Sequence, residues 1–572
     1  MTEKKLRISF IDDQFDIPYD ISLSNLFGNC LSKVVFEDEI SNKKRIFSSD
    51  EEFLKSSEYI EELNFRLIKN LSEYFNEHFG LHFKSRYWEI VLTPIVMYWT
   101  HANYFKYLII KKFLEDNQAD TFAINKIDPP ADFFHLRSCD HYSNLIYNNH
   151  FQHYENQILI EWFFKGKVST LNTIAVESAT SQVNLSFKSK VKSNIDKVFD
   201  RIISSRKIVI ERVYGLNTLD KLKLASSYKT KNFKGKNWNK IISSKARNSN
   251  AELSSFEAHN EFEFFVRGKI LGIIPDSFFS EIPQQPKKYQ VSLFFGNPKS
   301  YQNEELQYLA RIIQNDGRWI SSQHGGCYGQ FATFHLSAFE FKLADYFITW
   351  GWKKYLSYSN FIPLPAPSLS KVKPYRPENQ TSIYYVGTYI HPSLVRLDSC
   401  CFNISLDDYK NYQLAFFKNI DARIRKEIKF KDYFVQVNWF QYFENYLQQN
   451  KIERVASRFL EIAEQGKLIV IDHNGTTMLE ALAMNVPTII FWNTDVCLLS
   501  EDSFIDFKEL QSAGIWHDSP ESAAQYINEN FDQISEWWNA EKTQKARETF
   551  VRKYALNSSD FLTHWQDLLQ NL

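Results

Sequence analysis

The chain has 572 residues, 44% hydrophobic and 16% aromatic, with a formal net charge of −1. That length exceeds what one hydrophobic core serves, so two or three domains are expected, and the balanced charge gives no electrostatic ground for nucleic-acid binding. The six cysteines (Cys30, Cys139, Cys327, Cys400, Cys401, Cys497) form neither a CxxC pair nor a disulfide framework, which fits a reducing compartment.

The first residues, MTEKKLRISF, carry charges but no apolar stretch of the secretory kind. The longest apolar run, Ile90 to Trp99, is about half the ~20 residues that span a bilayer. A soluble, cytoplasmic protein is therefore expected. Leu6 to Ile11 reads as a strand, and the Asp12-Asp13 pair after it reads as a solvated turn before a metal site. Glu51 to Phe79 places Phe53, Ile60, Leu63, Leu67 and Leu71 at mixed three–four spacing, an amphipathic helix. A second helix covers Arg86 to Leu114, with a kink expected at Pro94. Its many aromatics read as core; Arg86, Glu89 and His101 are the polar exceptions and hence site candidates. The two helices make a helical region over 51–115.

Asp140, His141, His150, His153 and Glu155 cluster, but no second ligand pair at a zinc spacing accompanies them, and no metal site is assigned. Across 187–247, lysine and arginine far outnumber the four acids Asp196, Asp200, Glu211 and Asp220. Such a segment suits an anionic membrane face or a polyanionic acceptor; a solvated lysine-rich loop reads as well.

At Arg318 to Gln330 a strand (Trp319 to Ser322) discharges into Gln323-His324-Gly325-Gly326, then Gly329. Strand ends that open into glycine turns are where α/β folds place ligands. No lysine follows the glycines, so this is neither a P-loop nor a dinucleotide fingerprint. A helix, Leu336 to Asp345, carries Glu340 and Asp345 and leads to a strand, Tyr346 to Trp350. Five prolines within 362–379 then mark a linker, set at 366–380, between halves 1–365 and 381–572. Alternation restarts with a strand at Ser382 to Val386, a helix at Tyr412 to Ile428, a strand at Tyr433 to Val437 and a helix at Ile452 to Gln465.

Lys467 to Trp492 is the most ordered pattern: strand Leu468 to Asp472, turn His473-Asn474-Gly475, helix to Met484, Pro487, strand Thr488 to Trp492. A helix starting at Gly475-Thr476-Thr477 offers free N–H groups and about half a positive charge to an anion. Two hydroxyls there suit a phosphate, and Glu480, one turn in, suits a ribose hydroxyl. An ordinary capped helix is the rival reading. The alternation predicts an α/β fold, GT-B-like: two Rossmann-type halves with a parallel sheet each, a helical N-terminal elaboration and a C-terminal helix (within Asp532 to Leu569). The cleft between halves is the natural ligand site.

The pieces RYWEIVLTPIV (86–96), SSQHGGCYGQ (321–330), LADYFITWGW (343–352), DHNGTTMLEALAMNVPTIIFW (472–492), LQSAGIWHDSPESAAQYIN (510–528) and ISEWWNAEKTQKARETFVRKYA (534–555) carry a resemblance across roughly 50–560. The chain resembles the transferase family first catalogued from leptospiral surface-polysaccharide loci. That resemblance implies a GT-B-like transferase in O-antigen, capsule or lipopolysaccharide assembly. GTTMLEAL (475–482) is also similar, more faintly, to bacterial Kdo and polyol-phosphate transferases, which place a Thr/Ser-rich helix start and a Glu on the nucleotide.

The expectation is a glycosyltransferase taking a nucleotide-activated sugar, CMP-linked among the candidates, to a lipid-linked or polysaccharide acceptor, with no metal or cofactor. Gly475, Thr476, Thr477, Gly325 and Gly326 would hold donor phosphate, and Glu480 the ribose. His324 and Glu89 would be catalytic, and Arg86 would bind an acidic group of the acceptor. The 187–247 segment would give peripheral contact with the inner membrane. Rival readings are a CDP-polyol phosphotransferase, a nucleotide-sugar epimerase and a non-catalytic glycan-binding or scaffold protein.

Overall fold

Ser49 starts the first long helix, Asp50–Phe79: its side chain accepts from the Glu52 N–H, three acids fill the first turn, and Gly80 at φ 65° ends it. The second, Ser85–Asp116, runs through Pro94 as one helix rather than stopping there. Their facing sides bury Ile60, Leu67, Phe75, Trp88 and Phe105 in one core, where the Phe75 and Trp88 rings stack at 5.2 Å. The computed structural model describes residues 4–8, 21–22, 47–116, 121–130, 133, 139–146, 148–176, 207–228, 241–243, 251–282, 291–298, 303–376, 382–388, 406–431, 446–492, 494 and 498–572. The Asp12-Asp13 pair and most of the basic 187–247 segment lie outside them.

The N-terminal region also holds a sheet that the sequence reading missed. Lys4–Arg7 pairs in parallel with Ile21–Ser22 and Phe122–Asp128, and Phe122–Asp128 with Val168–Ala175. Its strands come from both sides of the long helices, so no local pattern announces the pairing. The His/carboxylate cluster becomes a buried polar network beside it. Glu155 pairs with buried Lys106 at 2.6 Å and accepts from the Tyr142 hydroxyl at 3.1 Å, while His153 Nε2 meets the Asn125 carbonyl at 2.9 Å. Among the described residues, no group of three or more His, Cys, Asp or Glu could hold a metal ion.

The first half carries a five-stranded sheet in the order Phe361–Pro363, Tyr346–Thr349, Arg318–Ser322, Leu293–Gly296, Ile208–Glu211. All four pairings are parallel. The second half has six strands, also all parallel: Glu453–Arg454, Ile428–Lys431, Ser382–Val386, Gly466–Ile471, Thr488–Phe491, Trp516–His517. Two-sided burial explains runs such as LIVI (468–471), each residue 0% exposed. The helix expected over Tyr412 to Ile428 is two, Leu406–Asn419 and Ala422–Arg425, followed by the strand Ile428–Lys431; the strand expected at Tyr433 to Val437 lies outside the described residues, and Ile452 to Gln465 is a short strand plus the helix Phe459–Ala463.

The chain crosses between halves twice. Residues 364–376 are packed: Ala366 N–H donates to the Leu556 carbonyl, Lys371 reaches Asp220 at 2.5 Å, and Tyr375 donates its hydroxyl to the Gly466 carbonyl. After the Glu541–Tyr554 helix the chain returns, and the last helix, Phe561–Asn571, lies on the first half. Trp565, 0% exposed, donates to the Pro365 carbonyl and meets Phe295 edge-on at 5.6 Å, while Gln566 donates to Ser227 on the helix Thr218–Ser227. Two parallel-sheet halves closed by a returning C-terminal helix make the fold GT-B-like. No helix among the described residues is long and apolar enough to cross a membrane.

Candidate active site

The two glycine turns meet. Each leaves the carboxyl end of a strand in the middle of its own sheet, Arg318–Ser322 and Gly466–Ile471, and the halves face each other there. The Gly326 N–H donates to Thr476 Oγ1 at 2.8 Å. A Cβ on Gly326 would stand 2.3–2.7 Å from the Gly475–Thr476 peptide, so only glycine fits. Beside it Cys327 Sγ donates to the Asn474 carbonyl and buried Asn474 donates to Gln330 Oε1 at 2.8 Å. The second half then grips the same loop further on, through Ala332 N–H to the Leu498 carbonyl and Ser500 N–H to the Gln330 carbonyl.

On the first-half side His324 is anchored from below. Its Nε2 lies 3.0 Å from Glu340 Oε1 and 2.6 Å from the Tyr328 hydroxyl, which donates to Glu340 Oε2 at 2.9 Å. Glu340 is 1% exposed and sits on a wide π-type turn, Ser337–Phe341, where the sequence suggests an ordinary helix. Such turns concentrate at functional sites. With Nε2 held by a carboxylate, Nδ1 becomes the acceptor nitrogen of the neutral ring. From the sequence Glu340 is a polar position on an expected helix with no assigned role, and Tyr328 carries no expectation. The four-residue spacing from His324 to Tyr328 was the one local signal.

On the second-half side the helix Thr476–Met484 begins at Gly475, which has no side chain to cap it. Thr477 Oγ1 is 3.2 Å from His473 Nε2. Glu480 is 9% exposed, and burial alone pushes its carboxyl from 4.5 up to about 7. A mostly buried carboxyl of this kind, one turn into a helix that starts at the seam, is a candidate ligand group. Asp472, at the strand end, is 2% exposed and accepts from Tyr385, Tyr409, Gln413 and His473. In the sequence Asp472 reads as strand and His473 as turn; their pairing is a finding of the structure.

Four of the candidates, Gly326, Thr476, Arg86 and Glu89, differ from expectation. Gly326 N–H and the Thr476 hydroxyl bond each other, so the seam between the halves uses what had been assigned to phosphate. Arg86 pairs with Asp345 at 2.9 Å and donates twice to the Leu343 carbonyl; Asp345 in turn receives the Trp319 N–H. That clamp sits at the amino ends of the strands, roughly 15 Å of strand from the His324 turn. Glu89 is one helical turn on from Arg86. The same helix meets the His335 ring at Tyr98, about 13 Å further along at 1.5 Å per residue. Neither Arg86 nor Glu89 is brought to the glycine turns. His101 is buried in the helix core at 3% exposure.

A cleft of about 1170 Å³ opens beside the seam. Gly329, Trp352 and Lys354 from the first half, Ser500 and Arg552 from the second, and Glu58 from the first long helix line it.

Three solved structures show a distant likeness. A glycosyltransferase from Rickettsia africae ESF-5 shares 12% identity over 50% of this chain and 79% of its own, with a TM-score of 0.31. MurG from Acinetobacter baumannii shares 12% over 50% and 74%, at 0.31. Alr3699/HepE from Anabaena, in complex with UDP and glucose, shares 10% over 50% and 78%, also at 0.31. No curated protein matches the chain significantly. The family model of the LIC12162 family transferases matches residues 29–569, nearly the whole length. The chain therefore belongs to the LIC12162 transferase family.

Proposed function

We propose that this transferase moves a sugar from a nucleotide-activated donor to a hydroxyl of a surface-polysaccharide acceptor, O-antigen or capsule. The observation that carries the reading is the contact of the His324-Gly325-Gly326 turn, its histidine held by Glu340, with the start of the helix Thr476–Met484 that carries buried Glu480, at the carboxyl ends of two facing parallel sheets. Donor phosphate rests on the free N–H groups of the first helical turn and on Thr477, where the helix dipole favours negative charge. Glu480 accepts from the ribose. The helix terminus stabilises the departing phosphate without requiring a metal ion.

The acceptor approaches along the 1170 Å³ cleft beside the seam, whose lining includes Gly329 of the same loop but neither His324 nor Glu480. His324 takes the proton of its attacking hydroxyl at Nδ1, and Glu340 steadies the imidazolium that forms, as a carboxylate does behind a catalytic histidine. Contact of the basic 187–247 segment with an anionic membrane face would bring a lipid-linked acceptor within reach.

Thermal-shift screening against CMP, CDP, UDP, GDP and dTDP tests the donor site. A nucleotide at about 100 times its dissociation constant adds about 2.7 kcal/mol of stability. One nucleotide should shift wild type and fail to shift Glu480→Ala. No shift with any of the five refutes the donor site. Product analysis then separates a glycoside from the phosphodiester of a polyol-phosphate transferase, and donor consumption without acceptor would reveal an epimerase.

A further inference from the structure

Behind Thr477 lies a chain of hydrogen bonds that packing alone does not require. Asp472 Oδ2 receives the Tyr385 hydroxyl at 2.9 Å, the Tyr409 hydroxyl at 2.8 Å and Gln413 Nε2 at 2.7 Å. Its Oδ1 lies 3.0 Å from His473 Nδ1. Four donors on two oxygens suit an ionised, acceptor-only carboxylate. Burial and the Asp472 charge together hold the Tyr409 phenol well above its usual range, so it stays a donor. The Asp472 side chain is 0% exposed and the His473 ring 13%. Burying a carboxylate costs several kcal/mol that an apolar side chain would avoid; here it places fixed negative charge behind a histidine. Because Asp472 takes Nδ1–H, the nitrogen that gains and loses a proton is Nε2, and Nε2 faces Thr477 Oγ1 at 3.2 Å.

We infer that Asp472, His473 and Thr477 form a proton relay directed at the leaving phosphate of the donor. Thr477 touches the phosphate, and His473 and Asp472 are positioning residues behind it. This rests on the donor-site reading above. As the bond from the sugar's anomeric carbon to the phosphate oxygen breaks, its electron pair stays on that oxygen. The Thr477 hydroxyl proton passes to the oxygen, and the His473 Nε2 proton passes to Thr477 Oγ1. The acceptor's hydroxyl proton goes to His324, and exchange with solvent resets both histidines. When His473 is protonated, its Nε2–H points at Thr477 Oγ1 and turns the threonine hydroxyl outward as a donor; when neutral, it draws that hydroxyl inward. An anion at Thr477 therefore favours the protonated ring.

The test is calorimetry of CMP, CDP, UDP, GDP and dTDP binding at pH 8, in two buffers of different ionisation heat, on the full-length protein. The titratable groups bonded into the relay are Asp472, Tyr385 and Tyr409, and Glu480 lies one turn along Thr477's helix; a phosphate there also favours protonated Glu480, so only uptake lost in both His473→Gln and Thr477→Val counts for the relay. Wild type should take up protons on binding the nucleotide it recognises. His473→Gln and Thr477→Val should both abolish that uptake and weaken the nucleotide about tenfold, while leaving the matching nucleoside unchanged. Thr477→Val keeps the shape of the side chain, so it decides the matter if His473→Gln fails to fold. The same proton count in wild type and Thr477→Val overturns the relay and leaves the donor site standing. Failure of all five nucleotides to bind wild type overturns both.

Discussion

Glu480→Gln separates the cost of a buried charge from its use. In the folded protein burial raises this carboxyl from 4.5 to about 7, with no bonded cation to offset it. A folded-state value above the unfolded one means the native protein holds the proton more tightly. Stability attributable to this group is therefore complete below pH 4.5, falls as pH rises through the interval to 7, and is flat above it. The full loss is roughly 2.5 units at 1.36 kcal/mol each, or about 3 kcal/mol. Glutamine has nearly the same shape and carries no charge to desolvate. The variant should lie within about 1 kcal/mol of wild type at pH 5 and exceed it by about 3 kcal/mol at pH 8, read by denaturant unfolding at a series of pH values. It should also bind nucleotide ten- to a hundredfold more weakly, because a charged acceptor for the ribose is gone. A difference that does not grow between pH 5 and pH 8 refutes the buried-charge reasoning. A stabilised variant with unchanged nucleotide affinity refutes the ribose contact alone.

Gly326→Ala drives a methyl into the Gly475–Thr476 peptide, so the halves must part or the loop must shift. The expected cost is about 1–3 kcal/mol, with a larger radius of gyration in solution scattering; unchanged scattering and stability would show the seam to be loose. His324→Ala should lower turnover about 10²–10⁴-fold while leaving nucleotide affinity within twofold, and Glu340→Gln should lower turnover with a shifted pH profile; full turnover in either variant removes the base assignment. Arg86→Ala should lower unfolding stability through loss of the Asp345 clamp, with turnover per folded molecule unchanged; a selective rise in acceptor KM would restore Arg86 to the site. Trp565→Ala should cost about 3–5 kcal/mol and release the C-terminal helix from the first half, seen as faster amide exchange over 561–571.

The parts legible before folding were those that a few neighbouring residues decide. Turn chemistry at Gln323–Gly326 and His473–Gly475, and the start of the helix at Thr476, are set by backbone preferences within four or five residues. So are the two long helices, whose apolar periodicity is read directly from spacing. Parallel sheets followed from alternation, because a crossover helix forces the next strand to run the same way. The four-stranded N-terminal sheet did not follow, since Lys4–Arg7 finds its partner at Phe122–Asp128, more than a hundred residues on. The same distance hid the site's inner layer. Asp472 and His473 look like strand end and turn until Tyr385, Tyr409 and Gln413 arrive from other elements to bury the carboxylate. Arg86 and Glu89 looked like site residues because polar groups in an aromatic helix stand out; the helix's direction across the first sheet put them at its amino end instead. Composition and spacing thus determined the two long helices, the central parallel strands and the glycine turns that leave them. Only the packing of distant elements decided that Gly326 bonds Thr476 and which buried carboxylate stands behind each histidine. Those contacts depend on desolvation and on partners that the chain brings together only by folding.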